Sequence, residues 1–201
     1  DGQPTTDKSS RWPDVPPGDP RRIILGMEDL RYPIGPLQEP ETITPALRSE
    51  FFAQIDETPA RLREAVRHLG ADQLQTPYRE GGWTIAQVVH HLPDSHMNAY
   101  IRFRLALTEG EPTIKPYKEA RWAELHDARV ADIDASLQLL EGLHKRWVSL
   151  LQRLTPEDWT RTFFHPENGR VMTLDRTLAV YAWHGRHHIA QITRLRQRRG
   201  W

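Results

Sequence analysis

The chain has 201 residues, in which 27 lysines and arginines balance 27 aspartates and glutamates, so no net field draws it toward nucleic acid or an anionic membrane. It has no cysteine, which excludes a disulfide framework, thiolate metal ligands and a cysteine nucleophile; any metal chemistry must rest on its ten histidines and its carboxylates. No apolar run approaches the length of a membrane span and no signal-peptide core is visible, so a soluble, cytoplasmic protein of one ordinary domain is expected.

Residues 1–22 are rich in Pro, Asp and Ser without apolar period. Residues 1–26 are therefore expected to be a disordered or loosely attached extension, with a natural start possible at Met27 and the domain spanning 27–201. After an extended entry segment at 31–40, Thr44 followed by Pro45 signals an N-cap with proline at the first helical position. Helix one should follow the spacing of Ala46, Phe51, Phe52, Ile55, Leu62, Val66 and Leu69 to a stop at Gly70, with Thr58-Pro59 kinking or restarting it.

Thr84 and Gln87 form a capping box that starts helix two, which runs to about Thr108. Its apolar stripe is Ile85, Val88, Val89, Leu92, Tyr100, Phe103 and Leu107. Thr84, His91, Ser95, Asn98 and Arg102 form a polar seam along the stripe's edge, suited to lining a pocket. Pro93 should bend this helix. Residues 109–129 hold Pro112 and Pro116 and read as a long crossover with at most short helical turns.

Helix three is expected from residue 132 or 134 to 154, with His144 on its buried face as a core or pocket histidine. Thr155-Pro156-Glu157-Asp158 starts one short turn, Asn168-Gly169 marks a β-hairpin, and Thr173 caps helix four. The whole predicts an all-α, four-helix bundle with a long crossover between helices two and three and a small hairpin before helix four.

Helix four carries His184 and His188, one turn apart on one face, where two imidazoles converge. On a helical wheel His188 falls in the apolar stripe, His184 at its edge and His187 outside it, facing outward. Such a pair taken alone is more often a set of core histidines than half a metal site. Helix two offers His90, His91 and His96. The wheel puts His96 at the centre of the stripe, His91 at its pocket-facing edge and His90 pointing away, so periodicity by itself does not pick a third ligand.

The run Y-R-E-G-G-W-T-I-A-Q-V-V-H-H-L-P-D-S-H-M-N-A-Y-I-R-F-R-L, with R-Y-P-I-G before it and Y-A-W-H-G-R-H-H-I-A-Q-I near the end, resembles the YfiT branch of the DinB-like superfamily over about residues 27–201. Pro93 departs from that pattern. The resemblance implies a four-helix bundle in which one histidine of the second helix and an H-x-x-x-H pair of the last hold a zinc or nickel ion; by position these are His91, His184 and His188. It also implies a homodimer.

Three neutral imidazoles leave positions open for water, as in catalytic sites. A metal-dependent hydrolase acting on a small molecule through metal-bound water is the leading expectation. Ser95, Asn98, Arg102 and Arg79 are candidates for substrate or supporting contacts, and neither Asp94 nor Glu80 is persuasive as general base. The resemblance also implies an alternative, a thiol S-transferase using a low-molecular-weight thiol of the bacillithiol or mycothiol type, which a chain without cysteine accommodates. A third reading is a non-enzymatic, metal-stabilised stress-response or interaction bundle.

Overall fold

A computed structural model describes residues 29–201, so the expectation for residues 1–26 lies outside the described residues. Four long helices form the bundle: α1 (Pro45–Val66), α3 (Ile85–Thr108), α5 (Asp134–Leu151) and α7 (Leu174–Arg199). α1 packs on α5 and α7, and α3 packs on the same two helices. Short helices α2 (Ala71–Leu74), α4 (Glu119–Trp122) and α6 (Pro156–Trp159) lie in the connections, with a 3₁₀ turn at His126–Ala128 in the crossover.

Local chemistry sets most of the boundaries. Thr44, Thr155 and Thr173 each accept a backbone N–H in the first turn that follows them. At α3 the box is reciprocal: Gln87 N donates to Thr84 Oγ1 at 3.1 Å and Thr84 N to Gln87 Oε1 at 3.0 Å.

For the first helix, a restart at Pro59 and the stop at Gly70 are corrected. α1 neither stops nor restarts at Thr58-Pro59, because carbonyls near the proline are satisfied from the side: Thr58 Oγ1 donates to Gln54 O at 2.7 Å and His144 Nδ1 contacts Ile55 O at 2.8 Å. α1 ends at Val66, and His68 takes the left-handed conformation (φ 64°). Gly70, at φ −79°, instead opens α2, its N–H donating to Gln73 Oε1 at 2.8 Å. α5 ends at Leu151, one turn short of the expected Leu154.

The hairpin pairs β1 (Thr162–His165) with β2 (Arg170–Thr173), Thr162 opposite Thr173 and His165 opposite Arg170. Gly169, at φ 63°, supplies the left-handed turn residue. The crossover is tied to this hairpin by Ile114 N to Phe164 O at 3.1 Å and Phe164 N to Pro112 O at 2.9 Å.

The core divides into two apolar clusters. One is centred on Phe103, Trp147, Phe163 and Tyr181, the other on Ile85, Val89, Leu92 and Ile192. His96 packs edge-on to Trp147 and Tyr181, while His91 packs on Trp83 of the second cluster. The histidines therefore form a polar layer between the two cores. Among the described residues no helix is long and apolar enough to cross a membrane.

Candidate metal centre

α3 presents His91 and α7 presents His184 and His188, so that one ring nitrogen of each lies within 4.8 Å of the others. His91 and His188 are buried and His184 is partly exposed. The Nε2 atoms of His91 and His184 stand 3.2 Å apart. Two imidazoles bound to one tetrahedral zinc at roughly 2.0–2.1 Å would hold their nitrogens about 3.3 Å apart, so the spacing fits a shared ion.

Burial sets the charge state of this layer. Desolvation pushes His91 and His184 well below the ordinary imidazole range, and the neighbouring histidines push in the same direction. Both are therefore neutral imidazoles at neutral pH, the form able to ligate a metal.

His188 is oriented by α7 itself. Its Nδ1 lies 2.9 Å from Gln191 Oε1; a carboxamide oxygen only accepts, so Nδ1 carries the proton and Nε2 keeps its lone pair. The amide nitrogen of Gln191 donates to His187 Nε2 at 3.0 Å and to the Arg31 carbonyl at 3.4 Å, which fixes which way the amide faces.

His187 is the clearest correction to the wheel. Expected to face outward, it is 3% exposed and stacks on Trp183, with ring centroids 4.5 Å apart. Tyr32 covers it at 5.8 Å, and Trp183 Nε1 donates to Gly35 O at 3.3 Å. The segment before α1 thus seals a face that a wheel drawn on α7 alone leaves open. Burial, and then the charge of His188, drive the His187 pKa down to about 2.

The other histidines of α3 separate as follows. His90 points away from the cluster and is held by Ser136 Oγ at 2.8 Å and the Val130 carbonyl at 3.1 Å. His96 is fully buried behind His184, its Nε2 3.2 Å from His184 Nδ1. It lies outside the three that converge.

Along the seam, Ser95 Oγ is 3.5 Å from His184 Nε2. Asn98 turns back to its own helix, donating to Asp94 O at 2.9 Å. Arg102 is 5% exposed and donates to the Tyr181 hydroxyl at 3.1 Å; no carboxylate lies within ion-pair distance of it among the described residues. Arg79 stays in the loop before α3, donating to Glu80 O at 2.9 Å and to the Tyr78 hydroxyl at 3.1 Å.

Sequence reasoning missed Tyr117, which comes from the crossover. Its hydroxyl is buried beside Ser95 without meeting hydrogen-bond geometry to any described residue; burial, and then Glu119, raise it well above the ordinary phenol range, while Ser95 and Arg102 oppose the rise. No local signal distinguishes it. Tyr181 reads from its spacing as a core residue, and only its hydroxyl's contact with Arg102 marks it as more.

Asp94 faces the crossover rather than the triad. Burial, reinforced by Asp127, raises its carboxyl from 3.8 to about 6. Below pH 3.8 the carboxyl is protonated whether the chain is folded or not. Between 3.8 and about 6 the folded chain keeps a proton the unfolded chain has lost, so stability falls as pH rises and the penalty is complete above about 6. Asp94→Asn should therefore raise the melting temperature at pH 7.5 and lose that advantage at pH 4, as measured by thermal denaturation across pH.

The profile of the DinB superfamily matches residues 54–192, a span holding all three converging histidines. A Bacillus mycoides protein named "Putative metal-dependent hydrolase" is 54% identical over 175 residues, covering 87% of this chain and all of that relative. A protein from Bacillus anthracis bearing the same name matches to the same extent. The structure of YfiT from Bacillus subtilis, described as "a probable metal-dependent hydrolase with an unusual four-helix bundle topology", matches with a TM-score of 0.83 and 49% identity over 86% of this chain and 98% of that one. By the superfamily profile, by identity over most of its length and by the bundle it shares with YfiT, the chain belongs to the DinB superfamily.

Proposed function

We propose that this protein is a metal-dependent hydrolase whose divalent ion, zinc or nickel, is held by His91, His184 and His188. The observation that carries the reading is the convergence of three imidazole nitrogens within 4.8 Å on rigid helices, and the names borne by its relatives agree with it. When bound on three neutral imidazoles, such an ion supplies a Lewis acid with positions open to water and to a substrate oxygen.

The chain's own residues do the rest. Ser95, beside His184, offers its hydroxyl to a substrate oxygen. Arg102 is a buried guanidinium with five N–H donors and, among the described residues, one hydrogen-bond partner. Glu119 acts on the same Tyr181 hydroxyl, but among the described residues no carboxylate pairs directly with the guanidinium, so an anionic group of the substrate would meet free donors there and offset the cost of the buried charge. One tyrosine ring, that of Tyr181, separates the guanidinium from His184. The substrate is accordingly a small molecule carrying a carboxylate or similar oxyanion a few bonds from the group that is cleaved.

The test is an assay of metal-loaded protein on neutral and carboxylate-bearing p-nitrophenyl esters and amides, and on a low-molecular-weight thiol with an electrophile. Hydrolysis that stops on chelation and returns with metal is expected, with a preference for the carboxylate-bearing substrates that Arg102→Met removes. Metal-dependent thiol conjugation without hydrolysis overturns the reading in favour of a transferase. Silence in both assays, with a melting temperature that depends on metal, favours a structural bundle.

A further inference from the structure

Pro59 lies within α1 and has no backbone N–H, so the carbonyl of Ile55, four residues earlier, is deprived of its helical donor. His144 of α5 takes that place, its Nδ1 2.8 Å from Ile55 O, both groups buried. A carbonyl can only accept, so Nδ1 of His144 carries the proton and the neutral ring presents its lone pair at Nε2. That lone pair lies 2.8 Å from His96 Nδ1, which must then donate, leaving His96 Nε2 as an acceptor. His96 Nε2 lies 3.2 Å from His184 Nδ1, which donates in turn. His184 is left with its lone pair at Nε2, the atom that faces His91 Nε2.

The rings are neutral because nothing balances a charge there. His96 and His144 sit among Trp147 and Tyr181, and among the described residues no carboxylate hydrogen-bonds to any of the three imidazoles. One fixed acceptor at one end therefore decides every proton position along the row.

We infer that Pro59, His144 and His96 form a tautomer relay that holds His184 with Nδ1 protonated and Nε2 aimed at the ion. The inference deepens the metal-site reading proposed above and rests on it. His144 and His96 are positioning residues: they touch neither substrate nor ion, and act by fixing the ring of His184 and enriching its Nε2 through a chain of aligned hydrogen bonds. His188 obtains the same tautomer from Gln191, so each member of the pair on α7 has its own orienting partner.

The experiment uses full-length protein labelled with ¹⁵N in histidine, with and without zinc, and three forms: wild type, His144→Gln and His144→Leu. The glutamine can present its amide nitrogen to Ile55 O and its oxygen to His96, preserving the direction of the relay; leucine fills similar space and ends it. Imidazole NMR should show His96, His144 and His184 all protonated at Nδ1, the opposite of the Nε2–H form that free histidine prefers in water. Zinc affinity, read by competition with a chromophoric chelator, should fall by about 10–100-fold in His144→Leu and stay near wild type in His144→Gln. An Nε2–H tautomer at His96 or His144, or wild-type zinc affinity in His144→Leu, overturns the relay. Should His144→Leu fail to fold, the tautomers in wild type and the affinity of His144→Gln still decide. Failure of wild type to bind zinc overturns the metal reading and the relay's role with it, whereas normal zinc binding with the wrong tautomers overturns the relay alone.

Discussion

His188→Ala is expected to abolish zinc binding at micromolar concentrations, a loss of at least about 100-fold, beyond the 10–100-fold that removal of a ligand's orienting partner typically costs. Two imidazoles cannot close a site that needs three convergent donors, and no other His, Asp or Glu among the described residues joins the cluster to replace the third. His91→Ala should behave in the same way. Gln191→Ala, which removes only the acceptor that holds His188 Nδ1–H, should weaken binding by about tenfold. The measurements are metal content of protein purified without a histidine tag, and the shift of melting temperature on adding zinc. Free metal at a hundred times the wild-type Kd stabilises the wild type by about 2.7 kcal/mol, while ligand variants weakened about 100-fold or more gain at most about 0.4 kcal/mol. His96→Ala is the decisive control. It should still bind zinc, more weakly; if it loses the metal and His91→Ala keeps it, the assignment of the α3 ligand is wrong.

That control corresponds to the point at which sequence reasoning reached its limit. Boundaries written by a side chain on its own backbone were legible: Thr84 with Gln87, Thr173 before α7 and the Asn168-Gly169 turn all stand where local chemistry puts them. The pair His184 and His188 was legible too, since helical periodicity alone sets them on one face. His91 against His96 was not. Both are buried on α3, and what separates them is the neighbour each meets across the bundle: Trp83 and the open side of His184 for one, Trp147 and His144 for the other. Family resemblance supplied the choice that periodicity could not.

His187 failed for the same kind of reason. The ring that covers it belongs to Tyr32, far away in sequence, and a wheel contains no information about a segment that returns from elsewhere. Pro59 is more instructive, because the rule behind the expected kink or restart holds: Pro59 has no N–H to give the Ile55 carbonyl. The helix continues because His144 of another helix meets the freed carbonyl, so a local defect became the fixed end of a row of histidines. His144, read as a core or pocket histidine, and His96, which the wheel set at the centre of the apolar stripe, are what connect the scaffold to the candidate centre.

The packing that brings α1 against α7 gives the second large effect, at Gly185, the residue after His184. A Cβ at this position would lie 2.8 Å from Thr58 Oγ1 and 2.9 Å from Thr58 Cγ2, closer than real Cβ atoms approach their neighbours. Thr58 is 1% exposed and its hydroxyl donates to Gln54 O at 2.7 Å, so turning it away sacrifices that bond, and the remaining relief is to push the helices apart. Gly185→Ala should therefore cost about 1–3 kcal/mol, the usual range for overpacking, despite alanine's better helix propensity. At this chain length that lowers the melting temperature by roughly 2–4 °C per kcal/mol. Thr58→Ala removes both clashing atoms and leaves only the Cβ contact at 3.5 Å, which is ordinary. The double variant should accordingly recover most of what Gly185→Ala loses, a favourable coupling measured by a double-mutant cycle. Losses that simply add, or a Gly185→Ala protein as stable as wild type, would show that α1 and α7 are not held at this distance. Because Ile55 and Thr58 lie on the same stretch of α1, separation at Gly185 also draws the Ile55 carbonyl from His144. Gly185→Ala should thus weaken zinc binding along with stability, and Thr58→Ala should restore both.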